Sequence, residues 1–242
     1  MPKRVPTGYQ RFRRHIADNR ETGHAPASTR YAVLASANGR SDTRAASRLV
    51  QRGMTAFRQG DVLGSLEAFD AALLQDPGIR PYLWQRGLSL YYLEQWEEGV
   101  NQFRDDVAVN PADTEEAIWA FMCEARLWGA QRAREHFLKV GQDPRPVMRA
   151  AYACFCDATS PDAILAAVEP ARGSHDLFYA NLYIGLYHEA EGSLAVAEAA
   201  ITTAVATPYA LQSGDYMASV ASVHCLRRGW GRQRRPSDRG RP

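Results

Sequence analysis

Cysteine and histidine are the residue types in this chain best suited to metal or redox chemistry. None of the four cysteines lies in a Cys-x-x-Cys pair or at a metal-ligand spacing from a histidine. A metal or enzymatic site would need Cys123, Cys154 and Cys156 to converge with His136 or His175. We keep such a site as the alternative hypothesis, and buried free thiols are the simpler interpretation.

The sequence carries no motif typical of an enzyme active site, since HExxH, GxSxG, Walker A and GxGxxG are all absent. His136, His188 and His224 have no carboxylate or cysteine four residues away, the spacing that places two side chains on one helical face. Adjacent carboxylates such as Glu97–Glu98 diverge by about 100° on a helix, which suits a solvated face. We therefore predict a protein that is not an enzyme and needs no cofactor.

An aromatic stripe is a stronger candidate for function. Trp84, Leu88 and Tyr91 follow one another at spacings of four and three residues, which places them on one face of a helix. Aromatic side chains are frequent anchors of protein interfaces. The stripe can equally pack between neighbouring helices, so its meaning depends on the elements that carry it.

The helices that would carry the stripe belong to a repeating unit. Small residues, aromatics and prolines recur every 34 residues, an interval that fits one helical hairpin per unit. Asp61 is placed to cap a second helix after a Gln-Gly turn. A glycine inside the first helix costs about 1 kcal/mol, which is tolerable if it lets the second helix approach closely. The recurring positions are Gly53 and Gly87; Phe69, Phe103 and Phe137; and Pro77 and Pro111.

This pattern resembles the tetratricopeptide-repeat (TPR) family. Residues 46–113 match two full repeats, 114–147 a degenerate one with Phe121 at the glycine position, and 178–208 a later good one. The resemblance implies an all-α solenoid of antiparallel helix hairpins, with about four to five units over 46–228. A closing helix at about 210–227 is expected to cap the last apolar face.

The order of the repeats is similar to that of bacterial TPR lipoproteins of the NlpI type, in the RGLSLYY, IWAFMCEA and YIGLY stretches. Proteins of that type bring a protease together with cell-wall hydrolases. The lipid-anchor cysteine of that type is missing here, since the first cysteine is Cys123. Neither the anchor nor the partners can be carried over.

The TPR resemblance implies that first helices line a concave groove for a peptide or protein partner. Self-packing of the same side chains, or coverage by the chain's own terminal helix, is the competing interpretation. The lysines and asparagines with which some TPR cochaperones hold a carboxylate are not present at the matching positions. In the register of the family, the groove residues are Trp84, Leu88, Tyr91, Tyr92, Ile118, Met122 and Arg126.

The two ends differ from the body in charge. Residues 49–226 hold 12 basic and 23 acidic side chains, a formal charge of −11, while both ends are rich in arginine. An acidic body argues against specific nucleic-acid binding. Residues 1–45 have the Arg, Ser and Ala bias of an organellar transit peptide, or form a disordered leader.

We therefore expect an organellar protein, plastid before mitochondrion, or otherwise a cytoplasmic one. Residues 229–242 are expected to form a basic, disordered tail. No run of apolar residues is long enough for a membrane span. The full prediction is an adaptor or scaffold that binds a protein partner and associates weakly, if at all, with itself.

Overall fold

The computed structural model describes residues 40–231, with side chains from residue 43. This part of the chain is all-α and contains no strand, which confirms the all-α part of the predicted fold class. Consecutive helices pack side by side in a repeat-like arrangement. The helices are α1 (Arg40–Arg58), α2 (Val62–Gln75), α3 (Trp84–Tyr92), α4 (Trp96–Val109), α5 (Thr114–Trp128), α6 (Ala130–Glu135), α7 (Pro146–Asp157), α8 (Asp162–Ala166), α9 (Ser174–Ala190), α10 (Leu194–Val205), α11 (Pro208–Gln212) and α12 (Tyr216–Arg228), with 3-10 turns at Pro77–Tyr82 and Pro170–Arg172.

The first two hairpins, α1 with α2 and α3 with α4, are held by glycine–aromatic contacts. A Cβ atom added to Gly53 would lie 2.7 Å from the Phe69 ring, and one added to Gly87 would lie 2.6 Å from the Phe103 ring. Both rings are fully buried. The glycines therefore allow the close helix approach that the sequence predicts for them.

The turn inside the first hairpin also agrees with its prediction. The carboxylate of Asp61 accepts a hydrogen bond of 2.9 Å from the backbone N–H of Gly64 and so caps α2. The link to the second hairpin is a helical segment and not only a proline that ends the preceding helix. Pro77 opens a 3-10 helix, and the amide of Gln102 on α4 donates to the carbonyl of Arg80 within it at 2.7 Å.

The middle of the chain departs from the regular hairpin. Phe121 stands where the earlier units have glycine, and its ring packs against Phe137 and Phe155 at centroid distances of 5.7 and 5.4 Å. A ring on the first helix prevents the close approach that glycine permits. The helix that follows, α6, accordingly spans only Ala130–Glu135 before the chain continues to α7.

Regular pairing returns with α9 and α10, where a Cβ on Gly185 would lie 2.3 Å from Ile201. The expected closing helix is divided in two. Gly214, with a φ of +67°, separates α11 from α12. Helix α12 packs on α10 as expected and also against α1, so the last helix of the described chain contacts the first.

The predicted ends fall mostly outside the described residues. The transit-peptide prediction concerns residues 1–45, of which 1–39 are not described. Helix α1 begins at Arg40, inside the segment assigned to the leader. Of the predicted basic tail, the structure describes a turn over residues 229–231. In the described part, no helix has the length and apolar character that crossing a membrane requires.

Candidate functional site

Five of the seven predicted groove residues are buried on the inner face, where α3 and α5 meet α9 and α12. Trp84 is half-buried and Arg126 is exposed. The hydroxyl of Tyr183 on α9 donates to Glu115 on α5 at 3.1 Å, which closes this face from the α9 side. The buried five are Leu88, Tyr91, Tyr92, Ile118 and Met122.

Helix α12 covers the α3 part of the inner face. The Tyr216 ring stacks on Phe57 at 5.5 Å and meets Trp84 edge-on at 5.3 Å. The guanidinium of Arg227 donates to the carbonyl of Tyr92 at 3.0 Å. With α12 docked, a partner cannot contact the buried residues of α3. Binding at the predicted groove stays a prediction, and it requires α12 to move.

A buried polar cluster fastens α12 to this face. His224 Nδ1 lies 3.0 Å from the Tyr92 hydroxyl. Its Nε2 lies 2.8 Å from Glu189 Oε2, without the alignment of a hydrogen bond. The guanidinium of Arg228 donates to Glu189 Oε1 at 2.6 Å and to the Tyr91 hydroxyl at 3.3 Å. The contacts of this cluster therefore join residues 35 to 137 positions apart in the chain.

The pKa shifts in this cluster follow from burial and from the charges within it. Burial lowers the pKa of His224 despite the nearby Glu189, so the imidazole is neutral near pH 7. Burial acts to raise the pKa of Glu189, but the guanidinium of Arg228 at 2.6 Å stabilises the carboxylate, and the pKa lies below its usual value. Burial raises the pKa of Tyr91 far above its usual range. The cluster thus contains an ionised carboxylate that Arg228 holds through Oε1.

A second buried cluster joins α5, α9 and the segment before α7. The guanidinium of Arg145 donates to Glu115 at 3.0 Å and to Asp143 at 2.8 Å. These carboxylates keep the pKa of Arg145 above its usual value although burial acts to lower it. Since both carboxylates are engaged by the same cation, this cluster also links elements and offers no free acid or base.

The alternative metal site finds no support in the geometry. Within residues 43–231, no group of three or more His, Cys, Asp and Glu side chains is arranged to hold a metal ion. Cys123 lies against Gly99, the Cys154 thiol donates to the carbonyl of Thr159 at 3.2 Å, and His175 pairs with the neighbouring Asp176. Burial raises the pKa of Cys154 to about 12, which keeps its thiol protonated.

An open surface remains where the first helices of the hairpins end, and we call it the turn-end surface. It consists of a cavity of about 180 Å³ beside Trp96, Met122 and Arg126, and a groove of about 520 Å³ along Trp128 and Arg132. Ala190 borders both. Of the predicted groove residues, Met122 and Arg126 belong to this surface.

Sequence reasoning missed Trp96, Trp128 and Arg132. Trp128 is 44% exposed, an unusual position for so large an apolar side chain. The signal was present: both tryptophans stand next to a hairpin turn, outside the stripe that buries the repeat. Tryptophan and arginine are residue types that often anchor protein interfaces. The cavity alone is smaller than the roughly 300–1,000 Å³ of cofactor sites.

No protein-family model matches the chain, and a search of curated proteins returns no significant match.

Proposed function

We propose that this chain is a TPR-like interaction module that binds a protein or peptide partner at the turn-end surface. The observation that carries the proposal is the 44% exposure of Trp128, in a groove that shares the border residue Ala190 with the cavity beside Arg126. Tryptophan and arginine, which occur together in this groove, are enriched among the residues that dominate the binding energy of protein interfaces. The buried polar clusters, by contrast, are engaged in holding helices together.

The assignment to the TPR type is supported by repeated contacts. Gly53, Gly87 and Gly185 each lie on the first helix of a hairpin, against a buried side chain of the second helix. That arrangement reproduces the sequence pattern of TPR units at three places. The likeness to NlpI-type proteins depends on short sequence stretches alone, and we propose from it only an adaptor or scaffold role.

The remaining parts of the proposal come from composition. An organellar location, plastid before mitochondrion, depends on the arginine-rich leader acting as a transit peptide. If the leader does not act as one, the proposed location is the cytoplasm. The acidic body favours a protein partner over nucleic acid. Self-association is at most weak in this proposal, and light scattering across a concentration series measures it.

Site-specific photo-crosslinking tests the docking site. A photoreactive phenylalanine derivative replaces Trp128 in one version of the full chain and Leu74 in the control. Leu74 is 83% exposed on α2, outside the turn-end surface. We expect a defined crosslinked partner in native cells from position 128 and not from position 74.

A third version with the same group at Trp84 distinguishes the two candidate sites. A partner captured at Trp84 and not at Trp128 would return the binding site to the inner face and would show that α12 moves. Capture at none of the three positions would count against an interaction function. Circular dichroism of each version checks that helicity is unchanged.

A further inference from the structure

The turn-end surface presents two arginines whose charge no described carboxylate neutralises. Arg126 lies 5.3 Å over the Trp96 ring, and Arg132 lies 5.5 Å over the Trp128 ring. Among the residues of known placement, neither guanidinium has a carboxylate within ion-pair distance. A guanidinium held over an indole ring is positioned while most of its N–H donors remain available.

Two of the three carboxylates that border this surface are already engaged. Glu189 accepts from Arg228 at 2.6 Å, and Glu191 is paired with Arg134. The third, Glu135, is exposed on the wall of the groove. The charge available to a ligand is therefore locally positive, although residues 49–226 carry a formal charge of −11.

A small cavity lies beside the two cations. The cavity of about 180 Å³ is lined by the apolar side chains of Trp96, Met122 and Ala125 and by the charged side chains of Arg126 and Glu189, and Ala190 borders both the cavity and the groove. The space is large enough for a side chain and too small for a cofactor of ordinary size. A fitting ligand thus combines anionic groups with an apolar side chain, which is the chemistry of an acidic peptide containing Leu, Met or Phe.

We propose that the turn-end surface binds an acidic segment of the partner, with one carboxylate on Arg126, a second on Arg132 and an apolar side chain in the cavity. This inference rests on the proposed function and specifies the partner's chemistry. Arginine presents a fork of donors that matches a carboxylate in a bidentate manner. Of the five buried inner-face residues, Met122 also lines this cavity.

Fluorescence anisotropy with defined peptides tests the proposal on the full chain. The probe is a labelled peptide of alternating Glu and Leu residues, and the comparison peptides replace every Glu by Lys or by Gln. We expect the glutamate peptide to bind at least tenfold more tightly than the other two, a difference of about 1.4 kcal/mol. Its affinity should fall as salt is raised, because the arginines are exposed.

Charge variants locate the contact. Arg126→Gln and Arg132→Gln should each weaken the glutamate peptide about fivefold, as for partly exposed ion pairs. Glu135→Gln should strengthen binding about twofold, because it removes the opposing charge from the groove wall. The matched control is Arg52→Gln, an exposed arginine of α1 that lies outside this surface and should change nothing.

Each outcome decides the question. Equal affinity for the three peptides, no binding at millimolar concentration, or an equal loss in Arg52→Gln would overturn the proposal. Tighter binding of the lysine peptide would show that the partner is basic. If Trp128 crosslinks a partner while the glutamate peptide fails, the interaction function stands and only the acidic chemistry is wrong.

Discussion

The first two hairpins can be compared with the contact of α12 with α1, α3 and α9, which we call the seam. Both are buried, but different forces hold them. Between α1 and α2, and between α3 and α4, a glycine faces a buried phenylalanine ring. In the second hairpin the mostly exposed Glu98 of α4 also pairs with Arg86 of α3 at 3.3 Å. At the seam, His224 and Arg228 of α12 meet Glu189 of α9 inside the protein. Apolar packing is insensitive to pH and salt, whereas a buried charge cluster depends on protonation and on each partner.

The difference separates the stable part of the molecule from the part that could open. The hairpin contacts join residues 16 positions apart in the chain, so they form with the local unit. The seam joins α12 to α1, α3 and α9, so its contacts close much longer loops of the chain and cost more conformational entropy. If the inner face ever receives a partner, the seam is the contact that must break.

The largest effect is expected from removing a hairpin ring. Phe103 is fully buried against Gly87 and stacks on Trp119 at 6.5 Å. We expect Phe103→Ala to lower the free energy of unfolding by about 3–5 kcal/mol, because it leaves a cavity in a rigid core. Urea unfolding followed by circular dichroism measures it. Leu74→Ala, at an exposed site, should change the value by less than about 0.5 kcal/mol.

Removal of the seam carboxylate should have the next largest effect. Glu189→Ala leaves Arg228 and His224 without their acidic partner, which we expect to cost about 3 kcal/mol. Backbone amide hydrogen exchange in this variant should be faster than in the parent chain in α12, and should change less in α2 and α4. Uniform acceleration along the chain would contradict a separable seam. The control is Asp105→Ala, whose exposed pair with Arg80 should be worth less than about 1 kcal/mol.

A smaller effect should follow from crowding a hairpin. In Gly87→Ala the new Cβ lies 2.6 Å from the Phe103 ring, and overpacking costs about 1–3 kcal/mol. The better helix propensity of alanine returns about 1 kcal/mol, so a net loss of about 1 kcal/mol is expected. Gly87→Ala should lower the free energy of unfolding less in a protein that also carries Phe103→Leu than in the parent protein. A double-mutant cycle measures this coupling, and strict additivity would show that the two side chains do not interact.

The smallest effect is a pH dependence confined to the seam. Burial lowers the pKa of His224 in the folded protein, so the unfolded chain binds more protons below about pH 6.5. Stability should therefore fall as pH drops through that value, and further as Glu189 protonates below its usual range. The urea midpoint, measured between about pH 7.5 and pH 5.5, should fall less in His224→Gln than in the parent chain.

The sequence by itself determined the hairpins. A glycine and an aromatic 16 residues apart, repeated after 34, specify which helices pair, because the contact is local and steric. The Asp61 cap follows from local spacing for the same reason. Phe121, which stands in the place of a glycine, marks the irregular middle unit in the sequence. The second helix of that unit, α6, is short in the structure.

Only the tertiary structure decided what happens to the inner face and where an open surface remains. His224 has no partner at helical spacing in the sequence; Glu189, 35 positions earlier, reaches it because α12 folds back across α9 and α1. That closure buries Tyr91 and Tyr92 and leaves Arg126 exposed at the turn-end surface. Long-range packing of this kind depends on the accumulated curvature of all the hairpins, which no single spacing encodes.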